Sequence, residues 1–94
     1  MSKLVIKYGT LTNNNDITEQ VFKKCKRRGN VIYIPPNDCA RDMLFGDPVI
    51  GTLKSIYTMD ENEVITVHDQ FTSIYIDISS DTVYTNDTII DLLQ

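Results

Sequence analysis

Residues 74–78 read Ile-Tyr-Ile-Asp-Ile, an unbroken alternation along the chain. A period of two is the period of a pleated strand, whose successive side chains point to opposite faces. Ile74, Ile76 and Ile78 therefore face one way and Tyr75 and Asp77 the other. A strand with one apolar face must pair with neighbours and cover that face, which commits the surrounding chain to a sheet. Composition agrees with this reading. Ile, Val and Thr supply 29 of the 94 residues, and Ala occurs once, at Ala40. Branched Cβ atoms lose rotamer freedom on a helix and pack well on a pleat.

Further strands are expected over residues 3–8, ended by Gly9, and over 31–34, cut by Pro35-Pro36, which cannot continue a ladder. Residues 51–58, 64–67 and 83–85 complete the set, with Asp60-Glu61-Asn62 as a hairpin loop. The run Asn13-Asn14-Asn15 reads as polar loop. One short amphipathic helix is predicted over residues 17–28. Asp16 would cap it, Ile17, Val21, Phe22 and Cys25 share a face, and Gly29 would stop it. Asn37 or Asp38 would cap a single turn through 40–44, and Asn86 or Asp87 a final turn at 89–93. The expected fold class is α+β, mainly antiparallel, with about six strands. Residues 51 onward would form a meander, curled into a sandwich or small barrel with the helix over one opening. Residues 1–94 make one domain.

Charge is divided along the chain. All 9 Lys and Arg lie in residues 1–59 with five acids, giving +4, while residues 60–94 carry eight acids and no base, giving −8. These features exclude a helical bundle, a membrane span, a disulfide scaffold and a disordered chain. Met1-Ser2-Lys3 leads into too short an apolar run for a signal peptide, so an intracellular, cytoplasmic location is expected, in a host cell or virion included. Cys25 and Cys39 lack metal-site spacing and read as reduced thiols, Cys25 buried.

The stretch from Ile34 to Pro48 is the richest in unusual chemistry. Asp38 and Asp42 stand at i,i+4 and share a helical face, where they could ligate a cation or act as an acid/base pair. The competing reading is structural: Asp38 caps the turn, Arg41 pairs with a nearby carboxylate, and Asp47 staples the loop before Pro48. No calcium-loop spacing is present. His68, the only histidine, reads as a surface residue at a strand end. Cys39 as a nucleophile would have only Arg41 to activate it. No catalytic residue, metal ligand or cofactor is assigned. The run Lys23-Lys24-Cys25-Lys26-Arg27-Arg28 is the main candidate for a partner site, through its local positive field. Nucleic acid is disfavoured by the net −4 charge and by the lack of aromatics among the basic residues.

The segment Ile32-x-Ile34-Pro35, Asp38-x-x-Arg41, Phe45-Gly46-Asp47-Pro48-x-x-Gly51-x-x-Lys54-x-Ile56 resembles a small β-rich domain of unassigned activity. That domain recurs in proteins of large DNA viruses and of some bacteria. Tyr8-Gly9, Asp16-Ile17-Thr18, Ile74-Tyr75-Ile76-Asp77 and Val83-Tyr84-Thr85 fit the same pattern. The resemblance implies an accessory module, and it singles out Asp38, Arg41, Asp47 and Lys54 as loop staples or a ligand-facing cluster. The expected function is a non-enzymatic binding or interaction module that meets a protein partner or a second copy of itself. The alternatives are a carbohydrate or small-ligand binder stacking on Tyr33, Tyr57, Tyr75 or Tyr84, and a small hydrolase using Asp38, Asp42 and His68.

Overall fold

A computed structural model describes residues 4–85; the turn expected at 89–93 lies outside them. The described residues are α+β and antiparallel, as expected, with eight strands rather than about six and with two helices. Strands β1 (Val5–Gly9), β2 (Asn14–Asp16), β5 (Ser55–Met59) and β6 (Ile65–His68) form a first sheet in the order β2-β1-β5-β6. Strands β3 (Lys26–Arg28), β4 (Val31–Ile34), β7 (Ile74–Asp77) and β8 (Thr82–Thr85) form a second, ordered β3-β4-β7-β8. All pairings are antiparallel. The arrangement is a two-sheet sandwich and not a closed barrel.

Isoleucine builds the interior. Ile6, Ile17, Ile32, Ile34, Ile56, Ile74 and Ile76 are fully buried, joined by Tyr8 and Val21. That accounts for the branched-residue excess, since alternate positions of β1, β4, β5 and β7 point into the space between the sheets. The alternation at 74–78 is as predicted, with Ile74 and Ile76 inside and Tyr75 and Asp77 half-buried on the outer face.

Helix α1 (Thr18–Lys24) ends four residues short of the expected span. Cys25 already has extended backbone, φ −78° and ψ 151°, and Lys26–Arg28 pair with β4 as an edge strand. Helix propensity in a basic run is a weak preference, and a ladder to β4 overrides it. Gly29 consequently lies in the β3–β4 turn and does not stop a helix. Ile17 stands at the N-cap, while Asp16 accepts from the Thr18 amide at 3.0 Å and its hydroxyl at 2.7 Å. The predicted helix face holds: Ile17 and Val21 are buried, and Phe22 and Cys25 pack against the core. Burial raises the Cys25 thiol to about 11. Asn14 and Asn15, expected as loop, and Asp16, expected as the helix cap, form β2. The expected meander is also corrected, because the chain leaves the first sheet after His68 and enters the second at Ile74.

Gly9 fixes the β1–β2 turn. Its φ is +145°, and a Cβ there would stand 2.2 Å from the Asn13 carbonyl oxygen and 2.7 Å from the Asn14 Cα. Both are backbone atoms, so neither can rotate away. Gly51 also has positive φ, +80°, but open space around it. Gly9→Ala should therefore lower unfolding stability by about 2–4 kcal/mol, against about 1–2 kcal/mol for Gly51→Ala. Urea denaturation of the two variants checks this; equal losses would contradict the steric account.

Candidate functional site

The candidate residues meet where the chain passes from the second sheet to the first. Pro35-Pro36 ends β4, and Asn37 turns the chain with φ +87° and accepts from the Cys39 amide at 2.8 Å. Helix α2 (Asp38–Phe45) follows and stops at Gly46, φ +83°, whose amide donates to the Asp42 carbonyl at 2.8 Å. Asp47 then accepts from the Val49 amide at 3.1 Å. The loop leads to Lys54, just ahead of β5.

Lys54 does not reach outward. Its side chain is only 1% exposed. Its Nζ lies 2.8 Å from Asp38 Oδ2, 2.9 Å from Asp47 Oδ1 and 3.4 Å from Asp42 Oδ1, and it donates to the Thr52 carbonyl at 2.8 Å. The Lys54 amide donates to Asp38 Oδ1 at 2.9 Å, so Asp38 holds the residue at both ends. Tyr8, on β1, donates its hydroxyl to Asp42 Oδ1 at 2.6 Å, with Asp38 Oδ1 at 3.3 Å. Its ring lies 5.8 Å from the ammonium and packs edge-on against Phe45, centroids 5.8 Å apart.

An ammonium removed from water loses several kcal/mol of solvation and stays charged only if anions replace that solvation. Burial alone would pull the Lys54 pKa down; the hydrogen bonds of Asp38 and Asp47, with the charges of Asp38 and Asp42, reverse this and hold it above its ordinary value. Burial likewise works to raise Asp38, and the Lys54 hydrogen bonds overcome it and lower the carboxyl. Burial and the Asp42 hydrogen bond push the Tyr8 phenol far up. Asp38 and Asp42 share a helical face as predicted, and that face is turned onto Lys54 and Tyr8.

Arg41, on the same helix, is 0% exposed and corrects its expected carboxylate pairing. Its Nε donates to the Pro35 carbonyl at 2.9 Å, Nη1 to the Asp69 carbonyl at 2.8 Å and Nη2 to the Thr72 carbonyl at 2.6 Å. Asp69 in turn folds its own loop, accepting from the Phe71 amide and the Thr72 hydroxyl. The guanidinium therefore clamps α2, the end of β4 and the β6–β7 crossing through backbone oxygens. A planar fork with five donors suits three separate carbonyls in a way an ammonium cannot.

His68 is buried, against its surface assignment, and shares a 2.9 Å hydrogen bond with the Thr58 hydroxyl. Burial, then the Arg41 charge, lowers its pKa below the ordinary value. Asp69, the next residue, is exposed. The basic run is split and stands apart from the Lys54 cluster. Lys23 pairs with Glu19 on exposed helix surface at 2.6 Å, a contact worth little in water. Lys26, Arg27 and Arg28 are exposed on the β3 edge.

Asp38, Arg41, Asp47 and Lys54 are thus brought together or interlocked as staples. Asp42 and Tyr8 complete the arrangement. Tyr8 was not among the sequence candidates; its signal was an inward position on β1 bearing a polar tip that needs a partner. Among the described residues, no group of three or more His, Cys, Asp or Glu is arranged to hold a metal ion, and no helix is long and apolar enough to cross a membrane. Comparison with protein families, curated proteins and solved structures found no match to this chain.

Two measurements test the staples. Lys54→Met leaves three carboxylates facing one another and should cost about 3–5 kcal/mol of unfolding stability, whereas Asp47→Asn, at the more exposed carboxylate, should cost less. The pH profile should have two limbs. Because the folded pKa of His68 lies below its unfolded value near ~6.5, its contribution is complete above that pH and declines as pH falls. Asp38, also depressed, adds a second loss below pH ~4. Thermal unfolding of His68→Leu should be flat between about pH 7 and 5, whatever its absolute stability.

Proposed function

We propose that this chain is a non-enzymatic binding module that works by pairing with a second copy of itself along β6. A viral accessory or structural role, implied by the sequence resemblance, belongs to the same reading. Two features support it. The cluster richest in chemistry is occupied by its own members, with Lys54, Arg41 and Tyr8 each spending their donors inside the fold. The surface, by contrast, carries an apolar face that ends on an open strand.

That open strand carries the proposal. β6 lies at one edge of the first sheet, and Ile65 and Val67 are 59% and 58% exposed on its outer face. The registers set Ile65 beside Met59 and Val5 in one apolar row, and Val67 beside Tyr57 in a second row that turns charged at Lys7 and Asp16. Edge strands are ordinarily protected by charge, brevity or proline. β3 has three bases and β2 three polar residues, but Ile65-Thr66-Val67 has neither charge nor proline. A two-fold axis at Thr66, normal to the sheet, sets Ile65 beside Val67 of the partner subunit twice and Thr66 beside Thr66 of the partner subunit. Both apolar faces then continue across an eight-stranded sheet, and apolar and Thr–Thr pairs are favourable cross-strand neighbours.

Light scattering tests the pairing. The wild-type chain should show about twice its 10.7 kDa mass at both low and high salt, because the contact is apolar and backbone-mediated. Val67→Glu should run as a single chain with unchanged circular dichroism. A wild-type protein of single-chain mass at high concentration would refute the proposal. A dimer dissolved by salt would move the contact to the basic β3 edge.

A further inference from the structure

The outer face of the second sheet carries an aromatic row that no stretch of sequence displays by itself. Lys26 pairs with Tyr33, Tyr33 with Tyr75, and Tyr75 with Tyr84, so the row crosses β3, β4, β7 and β8 in order. The Tyr33 and Tyr75 rings are 5.1 Å apart, with planes tilted by 40°. All three tyrosines are half-buried and so keep part of each ring open to solvent.

The β3 end of this row is cationic. Lys26 and Arg28 are alternate residues of one strand, so they project to the same face about 6.7 Å apart. Lys24 and Lys26 line, with Tyr33, Cys25, Pro35 and Leu44, a shallow cavity of about 290 Å³ beside the first ring. The neighbouring row runs Arg28, Val31, Asp77, Thr82. Its one carboxylate is turned to Ser79, accepting from the amide at 2.9 Å and the hydroxyl at 2.6 Å. Along the chain, basic and aromatic residues are not interleaved. Across the strands a cationic end adjoins the aromatic row.

We propose that this face binds single-stranded nucleic acid. The phosphates follow the cationic column Lys24, Lys26, Arg28 at the β3 edge, and unstacked bases lie over Tyr33, Tyr75 and Tyr84. Stacking on aromatic rings, combined with a basic track for the backbone, is the general physical basis of single-strand binding. A duplex keeps its base faces covered and offers this flat surface only phosphates. A neutral glycan would stack on the tyrosines and leave the cations idle, so the column favours the polyanion. The net −4 charge does not oppose this, since attraction is set by the local field at the β3 edge. The self-pairing proposed above uses the other sheet, so the two readings stand or fall separately.

The experiment titrates the full chain with fluorescently labelled oligo-dT and oligo-U over a range of salt, following anisotropy. The chain has five tyrosines and no tryptophan, so quenching of its own emission reports stacking directly. Three phosphate contacts predict a log–log salt slope of about −2, falling to about −0.7 in Lys26→Gln/Arg28→Gln. Tyr33→Val and Tyr75→Val, which keep strand-forming side chains, should each weaken binding about tenfold or more, and the Phe variants should largely retain it. Circular dichroism identifies any variant that has lost its fold. Val67→Glu should bind as the wild type does, even where it abolishes pairing. The proposal is overturned by absence of binding at low salt, by binding indifferent to the Tyr→Val changes, or by equal affinity for duplex. It is also overturned by salt-independent binding of a neutral oligosaccharide, or by loss of binding in Val67→Glu.

Discussion

The enclosed ammonium of Lys54 sets the conformation of everything between β4 and β5. A cation with 1% side-chain exposure is tolerable only if its anions are all in place, and here they come from the first two turns of α2 and from the loop beyond it. The helix must therefore present Asp38 and Asp42 inward, and the loop must curl until Asp47 closes the group. Tyr8 joins from β1, so the first sheet is tied to the same point. Arg41 performs the corresponding task toward the second sheet, where it spans three carbonyls. One helix of eight residues thus anchors both sheets through two cations that never reach solvent.

This explains which parts of the fold could be read from the sequence. β4 and β7 were legible because isoleucine at alternate positions leaves one assignment for each face. β2 and β3 were not, because short polar edge strands take their conformation from the partner's backbone and carry no apolar pattern. The basic run is locally compatible with a helix, and only pairing with β4 makes it extended after Cys25. At the site, the i,i+4 relation of Asp38 and Asp42 was visible, as were the polar members of the motif. Their partners were not, since Lys54 to Tyr8 and Arg41 to Thr72 are long-range choices made by packing. His68 was misplaced for a specific reason. β6 inverts the usual pattern, with Ile65 and Val67 outside and His68 inside, so reading apolar as inward turns the strand over.

The charge division also takes a physical form. Much of the acidic half is turn chemistry: Asp60 accepts from the Asn62 and Val64 amides, Asp69 from Phe71, and Asp77 from Ser79. These carboxylates hold loops, each near the strand ends it joins. Among the described residues, Arg41 and Lys54 are the buried bases, Arg27 donates to the Gly29 carbonyl in the β3–β4 turn, Lys7 lies on β1, and the others stand on α1 and the β3 edge. Opposite charges therefore occupy different kinds of structure as well as different halves of the sequence.

The strand order has a consequence for how the molecule comes into being. Each sheet joins a hairpin from residues 5–34 to one from residues 55–85: β1 with β5, and β4 with β7. Neither sheet can be completed from one half alone, and Arg41 finds its carbonyls at Asp69 and Thr72 only after β6 has emerged. During synthesis the hairpins β1–β2 and β3–β4 can form early, but the inner edges of β1 and β4 stay open until β5 and β7 have been made. The interval before those long-range pairings form is when these isoleucine-bearing edges are most exposed to capture by other chains.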